Sequence, residues 1–429
     1  MPQPGAVPSE LQYVLLLFAL LVVPQVLRRY RLPAAITSVA LGAGAGLGLG
    51  LFFGDPTIGL LSTLGITSLF LFAGLDVDLD ELRESGVVLL QHLVIGVVVL
   101  VVVTLAVGPV FNLPLRPAVL VALALLTPSA GFILDSLGSL GVSERERFWV
   151  KGQAVATELV ALATMFVVLQ STAVGRLSIA VLALGALVAA LPLAFRIFAV
   201  QVVPYAPKSE FAFLLMVAVL CAFATRRLGV YYLVGAFVVG ITAQRFRKRL
   251  PAIASERMVE AVERFASFFV PFYFFHAGLG LRREDFGPEA LLAGAGLLAV
   301  MVPLRVGLIA LHRRLALGES WRESARIAVP LLPTLVLTLV IAELLRARFA
   351  VGPAVFGGLI VYTLVNTLIP GLVLRVPPPE FESPHAPHLE VEFGPPRNAG
   401  SSAPAAGPPP PPPAPPAPPP HRGGTGLDA

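Results

Sequence analysis

Phe72-Ala73-Gly74-Leu75 closes one apolar stretch of the chain, and His276-Ala277-Gly278-Leu279 closes another about 204 residues later. A charged string follows each, at residues 76–81 and 282–285. A second pair keeps nearly the same offset. Leu125-Leu126-Thr127-Pro128 interrupts one apolar stretch, and Leu331-Leu332-Pro333-Thr334 interrupts another about 206 residues on. Two pairs at one offset mark an internal duplication. What the duplication builds depends on how often the chain crosses a membrane between the copies.

That it crosses one follows from composition. Of 429 residues, 56% are hydrophobic and 13% charged, with a mean hydropathy of +0.83, against roughly 25% charged in a soluble protein. A cytosolic enzyme this apolar could not cover its core, so that class is excluded. The single cysteine, Cys221, excludes a disulfide framework and any cysteine-based metal site. The net charge of +5 does not call for a nucleic-acid partner, because basic loops in a membrane protein set its orientation.

A span needs around 20 residues to cross the hydrocarbon, and about thirteen stretches meet that length. They are residues 11–27, 33–53, 57–75, 86–108, 118–140, 148–170, 177–203, 210–225, 229–244, 259–281, 290–312, 327–345 and 351–376. Connections after the odd-numbered spans carry about seventeen Lys/Arg against about eight on the other side, which predicts an outside N-terminus and a cytoplasmic C-terminus. Residues 1–376 are thus expected to form an all-α polytopic membrane domain. Residues 377–429, with the run Gly-Pro-Pro-Pro-Pro-Pro-Pro from Gly407, are expected to be a disordered, proline-rich cytoplasmic tail.

Seven spans separate the members of each pair. An odd number of crossings turns the second copy upside down, so spans 2–6 and 9–13 form an inverted-topology repeat, an architecture of many secondary transporters. There the substrate site lies near the midplane, between helices broken in mid-membrane. Proline removes a backbone donor and exposes carbonyls that must face protein or water, so spans 5 and 12 are the expected broken pair. Thr127, Ser129, Thr334 and Thr338 place small polar groups beside the breaks.

Ionisable residues in mid-span are costly to insert and mark function. Two qualify: Glu158 in span 6 and Arg305 in span 11. Neither has a charged counterpart in the other copy, where Leu100 and the Thr363–Asn366 region fall. Taking a carboxylate out of water favours its protonated form. A lone buried carboxyl therefore holds a proton or a cation but not both, and that competition gives exchange. The plainer alternative is that Glu158 only neutralises Arg305 and fixes two helices together.

Four strings then resemble a known family. Arg31-Leu32-Pro33 entering a Gly-rich span, LFLFAGLDVDLDEL at 69–82, GVYYLVGAFVVGI at 229–241 and FFVPFYFFHAGLGL at 268–281 resemble, in order, bacterial monovalent cation:proton antiporters of the sodium/proton exchanger fold, in the Kef-type branch. The resemblance implies two crossed broken helices in a mobile core, an elevator-like movement, a homodimer in the bacterial inner membrane and no organic cofactor. It implies a cation site at Thr157-Glu158, where the family has an Asn-Asp, Asp-Asp or Gln-Asp pair. Only the acidic second position is kept here, as Glu. Arg305 matches a basic residue of the family, whose Arg-bearing members tend to be electroneutral. Pro333-Thr334-Leu335 stands where the family often has Arg-Gly-Glu, so that Glu is absent.

The expected function is exchange of Na+ or K+ for protons. Glu158 is the expected shared site, Thr157, Thr127, Ser129 and Thr334 supply oxygens, and Arg305 balances charge. The alternatives are a sodium- or proton-coupled solute symporter, or a cation channel or sensor on the same fold. An intramembrane hydrolase is least favoured, since no Ser/His or paired-Asp arrangement sits at mid-span.

Overall fold

The computed structural model describes residues 9–77, 86–138, 140–171, 174–206, 209–227, 233–249 and 256–374. The acidic string beyond Val77 and the proline-rich tail lie outside the described residues.

Every one of the thirteen apolar stretches is occupied by a helix or a pair of helices. They are α1 (Ser9–Arg28), α2 (Ala34–Ala43, continued by a π-helical turn Gly44–Leu49), α3 (Pro56–Leu75), α4 (Gly86–Val110), α5 (Leu115–Leu126), α6 (Ala130–Leu137), α7 (Glu144–Gln170) and α8 (Val174–Gln201). Then follow α9 (Glu210–Arg227), α10 (Leu233–Arg249), α11 (Glu256–Leu279), α12 (Pro288–Leu317), α13 (Trp321–Ala328, continued by the 3-10 turn Val329–Leu331), α14 (Leu335–Phe349) and α15 (Pro353–Val373). No strand occurs among the described residues. Eight of these segments, α5 and α6 counted as one, are long and apolar enough to cross a membrane unaided, and nine when α13 and α14, bent by 46° at their break, count as one span.

Local chemistry starts and stops them. Asp55 caps α3 by accepting from the backbone N–H of Thr57 at 2.8 Å and Ile58 at 3.2 Å, with Pro56 at the first helical position. Capping boxes Ser143/Glu146 and Ser320/Glu323 open α7 and α13. Gly318, at φ +67°, closes α12 in the left-handed conformation that glycine adopts without strain.

The helices sort into two bundles. In the first, α11 packs on α2 and α3, α10 packs on α3 and α9, and α1 packs on α2 and α11. In the second, α12 packs on α13 and α15, α14 packs on α5 and α15, and α7 packs on α4, α5, α6 and α13. Between the bundles, α3 lies against α6 and α8 connects α7 to α10.

The duplicated motifs explain the first bundle. A Cβ on Gly74 would stand 2.4 Å from the Phe237 carbonyl oxygen and 3.0 Å from the Cα of Gly240. A Cβ on Gly278 would stand 2.2 Å from the Val39 oxygen and 3.0 Å from the Cα of Gly42. Each repeated Ala-Gly-Leu thus puts its glycine where two helix backbones touch, α3 on α10 and α2 on α11. Close approach through small residues is how helices gain packing energy in lipid, where no hydrophobic force drives them together.

Candidate functional site

The second bundle is organised by its two interruptions. Thr127-Pro128-Ser129 separates α5 from α6, and Leu332-Pro333-Thr334 separates the α13 turn from α14. Four buried half-helix ends meet there, each with orphan backbone groups that cost free energy unless paired.

The breaks pair with each other. The Ser129 N–H donates to the Pro333 carbonyl at 2.9 Å. Ser129 Oγ accepts from the N–H of Val336 at 2.9 Å and lies 3.5 Å from that of Leu337. Ser129 precedes α6 but caps α14 instead, because the hydroxyl of Thr334, the residue before α14, is turned to Thr363 Oγ1 at 3.1 Å and to the Asn366 amide at 3.2 Å. Thr338 donates to the Ala124 carbonyl at 2.7 Å, and the Tyr362 hydroxyl donates to that of Leu125 at 2.8 Å, closing the end of α5.

The two charges take the remaining ends. Glu158, 2% exposed, accepts the N–H of Ala130, the first residue of α6, at 3.0 Å. An anion at a helix N-terminus is favoured by the partial positive charge there. Arg305, 5% exposed, donates to the carbonyls of Leu331 at 2.6 Å and Leu332 at 2.7 Å, and to the Tyr362 hydroxyl at 3.3 Å. It thereby sits at the carbonyl end of the α13 turn, the favoured place for a cation. Glu158 and Arg305 form no ion pair with each other, so the two charges serve opposite ends of different half-helices.

The inverted repeat is visible in this arrangement. Thr363 follows Glu158 by the repeat offset and reaches Thr334 just as Glu158 reaches Ala130. One copy keeps a carboxyl at that place and the other a hydroxyl.

A cavity of about 100 Å3 lies between α4, α5, α7 and α12. Its wall includes Thr127, Pro128, Thr157 and Arg305, and does not include Glu158. The structure therefore brings Thr127, Thr157 and Arg305 to one cavity, joins Ser129 to the second break, places Glu158 at the first, and seats Thr334 among Thr363 and Asn366. Thr334 has no hydrogen bond to Glu158.

Sequence reading passed over three buried polar side chains on the same helices. Tyr362 and Asn366 are fully buried, and so is Gln153, whose amide nitrogen and oxygen both lack a hydrogen-bond partner. Gln153 stands five residues before Glu158 on α7. The signal for Asn366 and Gln153 was present in the sequence: an amide in mid-span costs several kcal/mol in lipid unless it is hydrogen-bonded, less than a charge but enough to mark it. Tyr362 carries no such signal, since tyrosine is common in apolar helices. Among the described residues no group of three or more His, Cys, Asp or Glu gathers as a metal site.

No curated protein matches the chain. Two solved structures of the sodium proton antiporter MjNhaP1 from Methanocaldococcus jannaschii share its fold. The structure at pH 8 has 15% identity and a TM-score of 0.64, covering 85% of this chain and 95% of that one. An electron-microscopy map has 16% identity and a TM-score of 0.60, covering 85% and 94%. The family model described as sodium/hydrogen exchanger, transmembrane, matches residues 14–377. A duplicated helical membrane fold with two paired helix breaks, matched over nearly all its spans, is thus accounted for: the chain belongs to the transmembrane sodium/hydrogen exchanger family.

Proposed function

We propose that the protein exchanges a monovalent cation, Na+ or K+, for a proton at Glu158. The observation that carries this reading is the placement of that carboxyl: buried, at the first helix break, hydrogen-bonded to the N-terminus of α6 and unpaired with Arg305. A carboxylate in a medium of low polarity needs a positive partner. Arg305 is committed to the carbonyls of Leu331 and Leu332, so the partner is a proton or a cation, one at a time. Thr157, Thr127, Ser129 and Thr334 are the neutral oxygens assigned to the cation in this reading, and the Gln153 amide joins them as a buried group without a partner.

The same geometry supports electroneutral exchange. The charge of Arg305 stays fixed on its half-helix end and balances the site throughout, while Glu158 alternates between H+ and M+. The bundle then carries the same net charge in both states, which is one-for-one exchange. The two-bundle arrangement supports an elevator movement, because both breaks and Glu158 lie in one bundle and glycine-mediated backbone contacts stiffen the other. The homodimer, the bacterial inner-membrane location with an outside N-terminus, and the Kef-type branch belong to this reading and rest on the strings and loop charges given above.

Purified protein in liposomes loaded with a pH dye tests it. Addition of Na+, K+ or Li+ is expected to move internal pH, and Glu158→Gln to abolish the response while the protein still melts cooperatively. A pH response that survives Glu158→Gln would sink the assignment. Proton-independent cation flux would favour the channel reading, and a response to an organic solute with Na+ the symporter.

A further inference from the structure

We propose that His92 and His312 form a binding site for a divalent metal ion of the Zn2+, Cu2+ or Ni2+ type, clamping α4 to α12 at the end of the cavity. Imidazole nitrogen suits these ions, and selection among them comes from geometry and availability rather than from the ligand.

The two rings face each other from different helices, with centroids 6.1 Å apart and planes inclined by 35°. A metal stands about 2.0–2.1 Å from a ligating ring nitrogen, so two rings sharing one ion have centroids roughly 5–6.4 Å apart. The pair falls within that span.

His312 is prepared as a ligand. Its Nε2 lies 3.3 Å from Gln91 Oε1. An amide oxygen only accepts, so Nε2 carries the proton and the lone pair is left on Nδ1. That Nδ1 is buried and has no hydrogen-bond partner, on a side chain 8% exposed. Metal-bound histidines characteristically donate their other ring N–H to an oxygen that fixes the tautomer, and Gln91 fills that role. A buried acceptor without a donor is costly, and a metal ion satisfies it.

Access and charge are compatible. His92 lines the cavity, which supplies room for the water that completes a four-coordinate shell. The neighbouring cation, Arg313, is fully buried; Glu319 accepts from Nε and Nη2 on one guanidinium edge, at 2.8 Å and 2.7 Å, Nη1 has no hydrogen-bond partner, and the guanidinium is stacked 4.7 Å over the Trp149 ring. The Glu319 carboxylate offsets its charge beside the site. The site uses neither Glu158 nor the helix breaks, so it stands or falls apart from the exchange reading.

The test uses the full chain, freed of any affinity tag, with His385, His388 and His421 replaced by Ala so that tail imidazoles do not compete. Zn2+ is titrated against a chromophoric chelator, and unfolding temperature is read with and without Zn2+. One saturable Zn2+ per chain is expected, raising the unfolding temperature by tying two helices together. His92→Gln and His312→Gln should each weaken binding tenfold or more and remove the thermal shift. Gln91→Leu should weaken binding less than either, and His276→Gln should change nothing. Gln variants are chosen because they keep volume and polarity; a variant that no longer melts cooperatively is replaced by His92→Asn or His312→Asn. No saturable binding by the background protein, or binding unchanged in both histidine variants, overturns the proposal.

Discussion

Replacing Ser129 by Ala isolates what joins the two helix breaks. The hydroxyl is fully buried and accepts one well-formed bond, from the Val336 N–H at 2.9 Å; the Leu337 N–H at 3.5 Å is at the limit and adds little. Alanine removes one oxygen and creates almost no void, so the cost is that of one orphaned backbone donor, about 1–3 kcal/mol. The same change viewed as loss of a helix cap costs about 0.5–2 kcal/mol. The two ranges overlap at roughly 1–2 kcal/mol, a factor of about 5–30 in the folding equilibrium. Ser38→Ala is the control. Ser38 is equally buried, but its hydroxyl donates at 3.0 Å to the Ala34 carbonyl of its own helix, which already accepts a backbone N–H. Its removal orphans nothing, and alanine is the better helix former. Reversible unfolding in mixed detergent micelles, read by tryptophan fluorescence, compares the two. The reasoning fails if Ser129→Ala lies within about 0.5 kcal/mol of wild type, or if Ser38→Ala costs as much.

Four further outcomes are expected. Gly74→Ala and Gly278→Ala, whose Cβ atoms would meet backbone at 2.4 Å and 2.2 Å, should each destabilise by about 1–3 kcal/mol or more; Gly96→Ala, with nothing within 4 Å, should be neutral or slightly stabilising in the same melt. Glu319→Gln leaves the fully buried Arg313 without its carboxylate and should cost about 3–5 kcal/mol, whereas Glu260→Gln, whose partner Arg264 is exposed, should be close to silent. Tyr362→Phe removes the hydroxyl donor to the Leu125 carbonyl and should lower stability by about 1–3 kcal/mol, with transport falling alongside it in the liposome assay. The hydrogen bond from Tyr13 holds the Asp55 carboxyl below the ordinary carboxylate range. A folded-state pKa lowered in this way adds stability above the unfolded value near 4, lost as pH falls through the folded value. Tyr13→Phe should therefore be less stable than wild type at neutral pH, and the difference should shrink under acid; a difference that grows below pH 4 contradicts this sign.

Composition, span length and the odd number of crossings between duplicated strings were enough to read an all-helical membrane protein with inverted repeats and to locate both breaks at Thr127-Pro128 and Pro333-Thr334. They sufficed because these are one-dimensional properties: lipid imposes a length on every helix, proline removes its own donor, and each is visible in the chain without knowing what lies beside it. The mid-span rule likewise picked out Glu158 and Arg305. It did not say what either touches. Only the tertiary structure decided that the two charges serve separate half-helix ends rather than each other, that Ser129 caps the helix of the opposite copy, and that Tyr362, Asn366 and Gln153 belong to the same buried region. Only it showed that the glycines of the duplicated motifs are points of backbone contact. Hydrogen-bond partners across 200 residues of chain depend on how two bundles of helices cross, and periodicity within one helix carries no record of the neighbour it will meet.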